Sequence, residues 1–292
     1  MPNNSMADNG RPNLVRSPLN YTGGKYRLLP QLMPLFPATD TYSTFIDAFG
    51  GGGNVVANVP ATSSIYNDYD KAVTDVLTWM ATTDVNTALK EISTIIVEYG
   101  LDKENTDGYN ALRAAYNANP TSPSMFFVLT AHAYNNQIRF NRSGGFNMPF
   151  GERTFNAAQR RRFIDFAERL QSLDLTFVNG SFDELDVPAD TFVYCDPPYL
   201  ITHATYNKKT GDSSGWGFEE EKRLYYWLDD LTALGVKWAL SNVTHHGGQV
   251  NEPLLEFANG YTLHELDFGY RNCAATKKDR DSVSREVLLT NY

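Results

Sequence analysis

The tetrapeptide Asp196-Pro197-Pro198-Tyr199 is the segment of this chain whose residue types point most directly to chemistry. It follows the apolar run at 191–195, which predicts a buried strand that the two prolines end abruptly. A carboxylate, a prolyl carbonyl and an aromatic ring are therefore expected together at the carboxyl end of a strand, the edge where open α/β sheets bind ligands. Together they can hold a planar ring and accept hydrogen bonds from its exocyclic amine.

A glycine run follows an earlier predicted strand, at 44–48, which contains Asp47. Glycines at 50–53 permit positive φ and let backbone N–H groups approach a ligand closely. The spacing is not GxGxxG, because Val56 stands where the last glycine would fall. A second strand is followed by Asp68, and an acid at that position holds ribose hydroxyls in nucleotide-type folds. Asp70 is predicted to be the N-cap of the next helix instead. These pieces imply an adenosine-containing cofactor, and both NAD and S-adenosylmethionine would satisfy them.

The elements that must position these groups alternate along the chain. Strands without strict alternation are predicted at 44–48, 64–67, 175–179, 191–195, 237–241, 262–267 and 285–290. Helical patterns lie between several of them, and the one at 218–234 ends before Gly235, which is placed to cap it. This alternation predicts an α/β fold with a doubly wound sheet. The last two strands have no clear helix between them and could pair antiparallel.

About 100 residues between the second and third strands carry no strand signal, which is too long for an ordinary crossover. We therefore predict an inserted helical subdomain at 73–157, with 1–72 and 158–292 forming the domain that carries the cofactor and catalytic residues.

Composition predicts a globular protein: 42% of the 292 residues are hydrophobic and 20% are charged. No apolar segment approaches 18 residues, the N-terminus lacks signal-peptide features, and Cys195 and Cys273 lack metal-type spacing. We expect reduced thiols, no metal and no membrane span. The net charge of −9 alone argues against a nucleic-acid binder. The basic residues cluster, however, and an acidic total can coexist with a basic face. They are Arg139, Arg142, Arg153 and Arg160 to Arg162 in one stretch, and Lys277, Lys278, Arg280 and Arg285 in another.

At this point the chain resembles the Dam-type DNA adenine-N6 methyltransferases of bacteria and phages. The motif order is the one in which a target-recognition domain lies between the cofactor and catalytic motifs. The matching segments are Pro18-Leu19-Asn20-Tyr21-Thr22-Gly23-Gly24-Lys25, Phe49-x-Gly51-x-Gly53, Asn67-Asp68, Arg139-Phe140-Asn141, Phe146-Asn147-Met148-Pro149-Phe150-Gly151, Gly180-Ser181-Phe182, Asp196-Pro197-Pro198-Tyr199, Ser241-Asn242 and Arg285-Glu286-Val287-Leu288-Leu289. Asp-Pro-Pro-Tyr alone is moderately specific, but its combination with Tyr-x-Gly-Gly-Lys and Phe-Asn-x-Pro-Phe-Gly is strong evidence. The resemblance implies a Rossmann-like class I S-adenosylmethionine-dependent methyltransferase sheet of seven strands.

The resemblance also implies a mechanism. The exocyclic amine of adenine is a poor nucleophile, because its lone pair is delocalised into the ring. Two acceptors on its N–H bonds, the Asp196 carboxylate and the Pro197 carbonyl, would pull the nitrogen toward tetrahedral geometry. Pro198 and Tyr199 complete the catalytic set, and Tyr199 would stack on the base. The base must be flipped out of the duplex to reach such a pocket.

The resemblance places S-adenosyl-L-methionine, with S-adenosyl-L-homocysteine as product, against the glycine segments. The implied cofactor residues are Tyr21, Lys25, Asp47, Phe49, Gly50, Gly51, Gly53, Asp68, Ser181, Phe182 and Asp196. Two positions depart from the commonest pattern. Asp47-Ala48 stands where Glu-Pro is frequent, and Asn20 stands where a lysine associated with a DNA contact often precedes the aromatic residue.

Target recognition is assigned to the segment at 135–147, which predicts a β-hairpin with Ser143-Gly144-Gly145 as its turn. Arg139 is the candidate reader of guanine, since arginine is the commonest bidentate partner of its O6 and N7. Tyr134 is the candidate for filling the stack beside the flipped base. The predicted DNA-binding residues of this part of the chain are Tyr134, Asn135, Arg139, Asn141 and Arg142. Lys277, Lys278 and Arg280 lie between the last two predicted strands and are expected to contact phosphates that position the duplex. The loop at 203–217 is expected to close over the base. The likeness favours the palindrome GATC.

Two other readings stay open. One is a methyltransferase acting on cytosine N4, RNA or a protein amide. The acid at Asp196 favours adenine, since cytosine-N4 enzymes more often carry Ser there. The other is an inactive DNA-binding relative, against which the intact Asp196, Tyr199 and Asp68 argue. The main hypothesis implies double-stranded DNA as partner, a cognate restriction endonuclease as a candidate second partner, and the cytoplasm of a bacterium or of a phage host.

Overall fold

The computed structural model describes residues 14–202, 215–267 and 284–292. In this part of the chain, eight strands form one mixed sheet. They are β1 Thr44–Asp47, β2 Ser63–Asn67, β3 Leu175–Val178, β4 Thr191–Cys195, β5 Lys237–His246, β6 Gln249–Val250, β7 Thr262–Glu265 and β8 Arg285–Thr290.

The sheet has the order β3-β2-β1-β4-β5-β8-β7, with the short β6 paired to the end of β5. The pairs from β3 to β5 are parallel, whereas β8 runs antiparallel to both β5 and β7. This is a Rossmann-like arrangement. It confirms the seven predicted strands and the antiparallel pairing of the last two. The adjacent strands β1 and β4 end together, with Asp47 opposite Tyr194 in the register. The chain order reverses between them, which is where such sheets bind ligands.

The prediction for β5 was wrong in length, and β6 was not predicted. The strand was expected to end at residue 241, but it continues to His246. Its continuation contains Asn242, a residue type that is depleted from strands yet is fully buried here. Asn242 is retained in the sheet because its side chain donates a hydrogen bond to a buried carboxylate, described below.

The helices are α1 Leu29–Leu32, α2 Lys71–Thr82, α3 Val85–Glu98, α4 Thr106–Ala118, α5 Pro123–His132, α6 Ala157–Gln171, α7 Phe218–Ala233 and α8 Glu252–Ala258. Short 3-10 turns lie at Lys25–Arg27, Met33–Leu35, Tyr134–Asn136 and Phe182–Glu184. Asp70 caps α2 by accepting hydrogen bonds from Ala72 and Val73, which confirms the prediction for that residue. Helix α7 confirms the helical pattern at 218–234, and Gly235 follows with φ +76°. No helix within the described ranges is long and apolar enough to cross a membrane.

The core has two parts, one on each face of the sheet. One cluster joins α2 to α6 with the sheet side chains Phe45 and Phe192, and the other joins α7 and α8 with Ile46 and Val193. Neighbouring residues of one strand thus point to opposite faces, so β1 and β4 are covered on both sides and their ends are held rigidly. The boundaries at 73 and 157 stay a prediction.

Candidate active site

The carboxylate of Asp196 lies directly after β4, and one of its two oxygens is held by two neighbours. The ammonium of Lys25 is 2.7 Å from Oδ1, and the Tyr199 hydroxyl donates a 3.1 Å hydrogen bond to the same atom. Among the described residues, Oδ2 has no hydrogen-bond partner. The carboxylate is therefore fixed in orientation through one oxygen, while the other is left to accept a hydrogen bond from a ligand.

The charges at this point are largely withdrawn from solvent. The Lys25 side chain is 3% exposed and that of Asp196 is 16% exposed. Burial raises the pKa of Asp196, and the ion pair with Lys25 and the hydrogen bond from Tyr199 act in the opposite direction. Lys25 also donates to the Gly23 carbonyl at 2.9 Å, so its ammonium is fixed on two sides. The pairing thereby favours the ionised carboxylate, the form that accepts hydrogen bonds through both oxygens.

The ring of Tyr199 contacts the same Lys25 ammonium. Lys25 Nζ lies 5.0 Å from the ring centroid, within the range of a cation–π contact. A base stacking on Tyr199 would therefore have to use the opposite face of the ring.

The glycine turn after β1 is packed against two tyrosines. The Tyr66 hydroxyl donates to the Gly51 carbonyl at 2.7 Å. An ideal Cβ at Gly50 would lie 2.2 Å from the Tyr66 ring, and one at Gly51, where φ is +47°, would lie 2.9 Å from the ring of Tyr21. Only glycine fits at these positions, and the Gly51 N–H is aimed at a carboxylate, donating to Asp68 Oδ2 at 2.7 Å.

Two acids flank this turn, and they differ in how many of their oxygens accept hydrogen bonds. Asp68 accepts a second hydrogen bond, from the Asp70 backbone to Oδ1 at 2.8 Å, and burial raises its pKa to about 6. Asp47 accepts a 3.1 Å bond from the Val56 backbone on Oδ2, but its Oδ1 is buried with no partner among the described residues. Burial, with Asp196 nearby, raises the pKa of Asp47 well above its ordinary value. An unpartnered buried oxygen is costly, so Asp47 marks a place where a ligand donor is expected.

Phe49, directly before the turn, belongs to an aromatic cluster. The Phe49 and Phe182 rings lie 5.3 Å apart, and Trp216 lies 5.5 Å from Phe49 and 6.0 Å from Phe182. The guanidinium of Arg223 covers Phe182 at 5.2 Å and donates to the hydroxyl of Ser181 at 3.3 Å. The predicted cofactor residues from both halves of the chain thus lie around one sheet edge.

The segment predicted to read DNA turns back on itself. Phe140 and Phe146 form an antiparallel bridge, and Gly144 adopts φ +78° at the turn. The Asn141 side chain accepts hydrogen bonds from the turn amides of Ser143 and Gly145, at 3.0 and 2.9 Å, so it shapes the turn. We name this segment, residues 137–147, the recognition hairpin.

The candidate DNA contacts are exposed where they are described. Arg139 is exposed, and its guanidinium donates through Nε to the Asn147 side chain at 2.8 Å and through Nη2 to the Asn147 carbonyl at 3.0 Å. Tyr134 is 54% exposed, and Asn135 and Arg142 are exposed as well. Lys277, Lys278, Arg280 and most of the predicted closing loop lie outside the described residues. All of these DNA-binding roles stay predictions.

Two acids, one buried and one half-buried, were missed by sequence reasoning. Glu221 of α7 is fully buried and accepts hydrogen bonds from Trp216, Tyr225 and Asn242. Glu286 of β8 carries a buried oxygen with no partner among the described residues, and burial raises its pKa to about 7, with Lys25 acting to lower it. Each acid could have been found from its place in the sequence. Glu221 falls on the apolar stripe of a predicted helix, and Glu286 lies inside an otherwise apolar predicted strand, so neither is where a solvated acid is expected.

Comparison with known proteins gives a consistent picture. The sequence model of the D12 class N6 adenine-specific DNA methyltransferases matches residues 21–267. Modification methylase StsI of Streptococcus sanguinis is 39% identical over the whole of this chain, and type II methyltransferase M.FokI of Planomicrobium okeanokoites is 40% identical over 95% of it. The chain spans only 45% and 43% of those two relatives. DNA adenine methylase of Escherichia coli K12 is 25% identical, with 78% of this chain and 80% of that protein aligned.

Proposed function

Since the chain belongs to the family of D12 class N6 adenine-specific DNA methyltransferases, we propose that it transfers a methyl group from S-adenosyl-L-methionine to N6 of an adenine in duplex DNA. The observation that carries this proposal is the half-engaged carboxylate of Asp196. Its Oδ1 is held by Lys25 and Tyr199, and its Oδ2 is left to accept a hydrogen bond. It lies at the ends of β1 and β4, next to the glycine turn.

The residues around the turn fit the proposed cofactor. The buried, unpartnered Oδ1 of Asp47 is an acceptor for a charged amino group, and Asp68 is the acid expected for ribose hydroxyls. The aromatic cluster of Phe49, Phe182 and Trp216 is the candidate to pack against the adenine ring of the cofactor, since Phe49 directly precedes the glycine turn. The Tyr66 and Tyr21 rings leave space only for glycine at 50 and 51, so the turn lies close against both rings.

When bound, S-adenosylmethionine supplies the electrophilic methyl group. The chain prepares the nucleophile through two hydrogen bonds. Asp196 Oδ2 accepts a hydrogen bond from one N–H of the target amine, and the Pro197 carbonyl accepts one from the other N–H. Both acceptors draw the lone pair of the nitrogen out of the ring system. The carboxylate also favours the positive charge that develops on this nitrogen, and it can accept the proton that the nitrogen then releases. Lys25 and Tyr199 keep the carboxylate oriented, because both contact Oδ1.

An adenine inside a duplex cannot reach this pocket, so we propose that the base is flipped out, at a cost of a few kcal/mol. Tyr199 then stacks on the base through the ring face opposite Lys25. Tyr134 is the candidate to fill the vacated place in the helix, since it is exposed at the base of the recognition hairpin.

Transfer of tritium from labelled S-adenosylmethionine tests this proposal against methylation of RNA or protein and against an inactive relative. We expect label in duplex DNA and none in RNA or in protein substrates. Label in RNA or protein alone would support the other enzyme reading, and DNA binding without any label would support an inactive relative.

We propose GATC as the target, because the recognition hairpin has the features of the Dam type. We also propose a restriction–modification role, since two of the relatives above are named as a modification methylase and a type II methyltransferase. A cognate endonuclease and a cytoplasmic location follow from that role. DNA from cells that express the protein can be digested with nucleases that differ in sensitivity to methylated GATC. Full cleavage by the sensitive nuclease would contradict GATC.

Arg139→Ala is expected to relax discrimination at one guanine by about 1–3 kcal/mol, because a bidentate contact to O6 and N7 is lost. The measurement compares kcat/KM on the recognised duplex with duplexes that differ from it by one base pair. Arg160→Ala, an exposed arginine of α6, is the matched control and should keep wild-type discrimination. If Arg139→Ala weakens binding to all sequences equally, Arg139 contacts a phosphate instead.

The affinity for S-adenosylmethionine is expected to fall as the pH drops through about 6, because Asp68 accepts hydrogen bonds from ribose best when ionised and its pKa is about 6. The sign follows from the raised pKa: ionisation is complete well above pH 6, and only about one tenth remains at pH 5, which predicts a roughly tenfold weaker Kd. Titration calorimetry at pH 7.5 and 5 measures this. Asp68→Asn should bind more weakly at pH 7.5 and lose most of the pH dependence. An equal decline in wild type and variant would assign the effect to another acid.

A further inference from the structure

The short segment at 19–25 contacts three parts of the proposed site in succession. Lys25 pairs with Asp196, and the ring of Tyr21 packs on the glycine turn. Asn20 directly precedes Tyr21, but it turns toward the segment that is predicted to recognise the target. Its side-chain amide donates a 2.7 Å hydrogen bond to the carbonyl of Asn135, and its backbone forms a parallel bridge with Gln137.

The partner of Asn20 is a strained piece of backbone. Asn135 and Asn136 are consecutive left-handed residues, with φ of +53° and +55°. Asn tolerates this conformation better than most non-glycine residues do, but two such residues in succession still store strain and persist only when their surroundings hold them. These two residues connect the exposed Tyr134 to the first residue of the recognition hairpin, so their geometry decides where both are directed.

The side chains of three residues, Asn136, Arg153 and Asn20, make the hydrogen bonds that hold the strained pair. The Asn136 amide donates to the carbonyls of Ala131 and Thr130 at the end of α5, at 2.7 and 3.2 Å. The guanidinium of Arg153 donates to the Asn135 side chain at 3.3 Å. Both of those contacts come from within the helical segment and its flanking loop. Of these three, Asn20 alone ties the pair to the segment that carries Tyr21 and Lys25.

We propose that Asn20 is a positioning residue for target recognition: its side-chain amide fixes the base of the recognition hairpin to the segment that packs on the glycine turn and on Asp196. It sets where Tyr134 and Arg139 stand relative to the pocket that receives the base. The inference rests on the proposed function. It assigns Asn20 a protein contact at the position where the common pattern has a lysine.

The test uses Asn20→Asp, which keeps the shape of the side chain but replaces the donor by a carboxylate facing a carbonyl, and Asn20→Ala, which removes the group without adding charge. Asn86→Asp, at an exposed position of α3, is the control for the added negative charge. The first readout is amide hydrogen exchange of the free protein without DNA. We expect exchange of residues 134–147 to accelerate at least about threefold in both Asn20 variants and to stay unchanged in Asn86→Asp.

The second readout is methyl transfer under single-turnover conditions. Both Asn20 variants should lose about 3- to 10-fold in discrimination between the recognised duplex and its one-base-pair variants, while the Kd for S-adenosylmethionine stays within twofold of wild type. Unchanged exchange and unchanged discrimination would overturn the inference. So would an even loss of affinity for every duplex in Asn20→Ala with unchanged discrimination, because that identifies a contact to the DNA backbone, which carries no sequence information.

The failure of the proposed function has a different signature from the failure of this inference. If wild type transfers no methyl group to any DNA, the proposed function fails and the positioning role in target recognition fails with it. If wild type is active and the Asn20 variants match it in both readouts, only the inference on Asn20 fails.

Discussion

Asp196→Ala is expected to abolish methyl transfer, with a loss of roughly 100- to 1,000-fold or more in the single-turnover rate. The variant removes one of the two acceptors that act on the amine, together with the charge that favours the developing cation. Lys25 and Tyr199 also lose their shared partner, so what remains of the pocket is no longer oriented. The rate is measured with saturating cofactor and duplex, so that weaker binding does not imitate a chemical defect.

This variant needs a control for folding, because it leaves the 3% exposed ammonium of Lys25 without its carboxylate. Removing one partner of a buried ion pair typically costs about 3–5 kcal/mol. The double variant Lys25→Met/Asp196→Ala removes the orphaned charge and should recover thermal stability without recovering activity. Near-wild-type rates in Asp196→Ala would disprove the assigned role of the carboxylate. Recovery of activity in the double variant would show that its loss came from instability alone.

Gly50→Ala is expected to destabilise the protein by about 1–3 kcal/mol, because it adds a methyl group to a region that is already closely packed. We also expect binding of S-adenosylmethionine to weaken at least about tenfold, because the glycine turn must shift to make room for the methyl group. The added methyl group would lie 2.2 Å from the Tyr66 ring. Tyr66 is fully buried and its hydroxyl is bonded to the Gly51 carbonyl, so it cannot retreat without moving the turn. Thermal melting and titration calorimetry measure the two effects.

The matched control for Gly50→Ala is Gly260→Ala. Gly260 also lacks a positive φ, and the nearest atom to its ideal Cβ is a carbonyl oxygen at 4.0 Å, so the substitution adds a methyl group without a clash. It should melt and bind like wild type. If Gly50→Ala behaved like this control, the turn would be free to adjust, and its close packing would have no part in holding the cofactor.

The sheet was predictable because its strands are short apolar runs bounded by abrupt breaks. Residues 191–195 end at two prolines, and 44–47 end at glycines, so both ends were visible in the sequence. The same signals placed Asp68 and Asp196 at strand ends, and the structure brings both to one edge of the sheet. Asp70 was distinguishable from Asp68 because a helical pattern starts directly after it.

Other parts depend on contacts between distant segments, which periodicity does not encode. The extension of β5 holds because Asn242 pairs with Glu221 from another element. The hydrogen bond from Tyr66 to the Gly51 carbonyl joins residues 15 positions apart, and that from Asn20 to the Asn135 carbonyl spans 115. In each case a polar side chain is kept by a partner that only the folded chain supplies.

The most direct measurement for the whole account is the identity of the methylated nucleoside. Duplex DNA is incubated with the protein and S-adenosylmethionine, digested to nucleosides and analysed by mass spectrometry, with Asp196→Ala in parallel. We predict N6-methyldeoxyadenosine with wild type and none above background with the variant. N4-methyldeoxycytidine in its place, or equal amounts of N6-methyldeoxyadenosine from both proteins, would contradict the account.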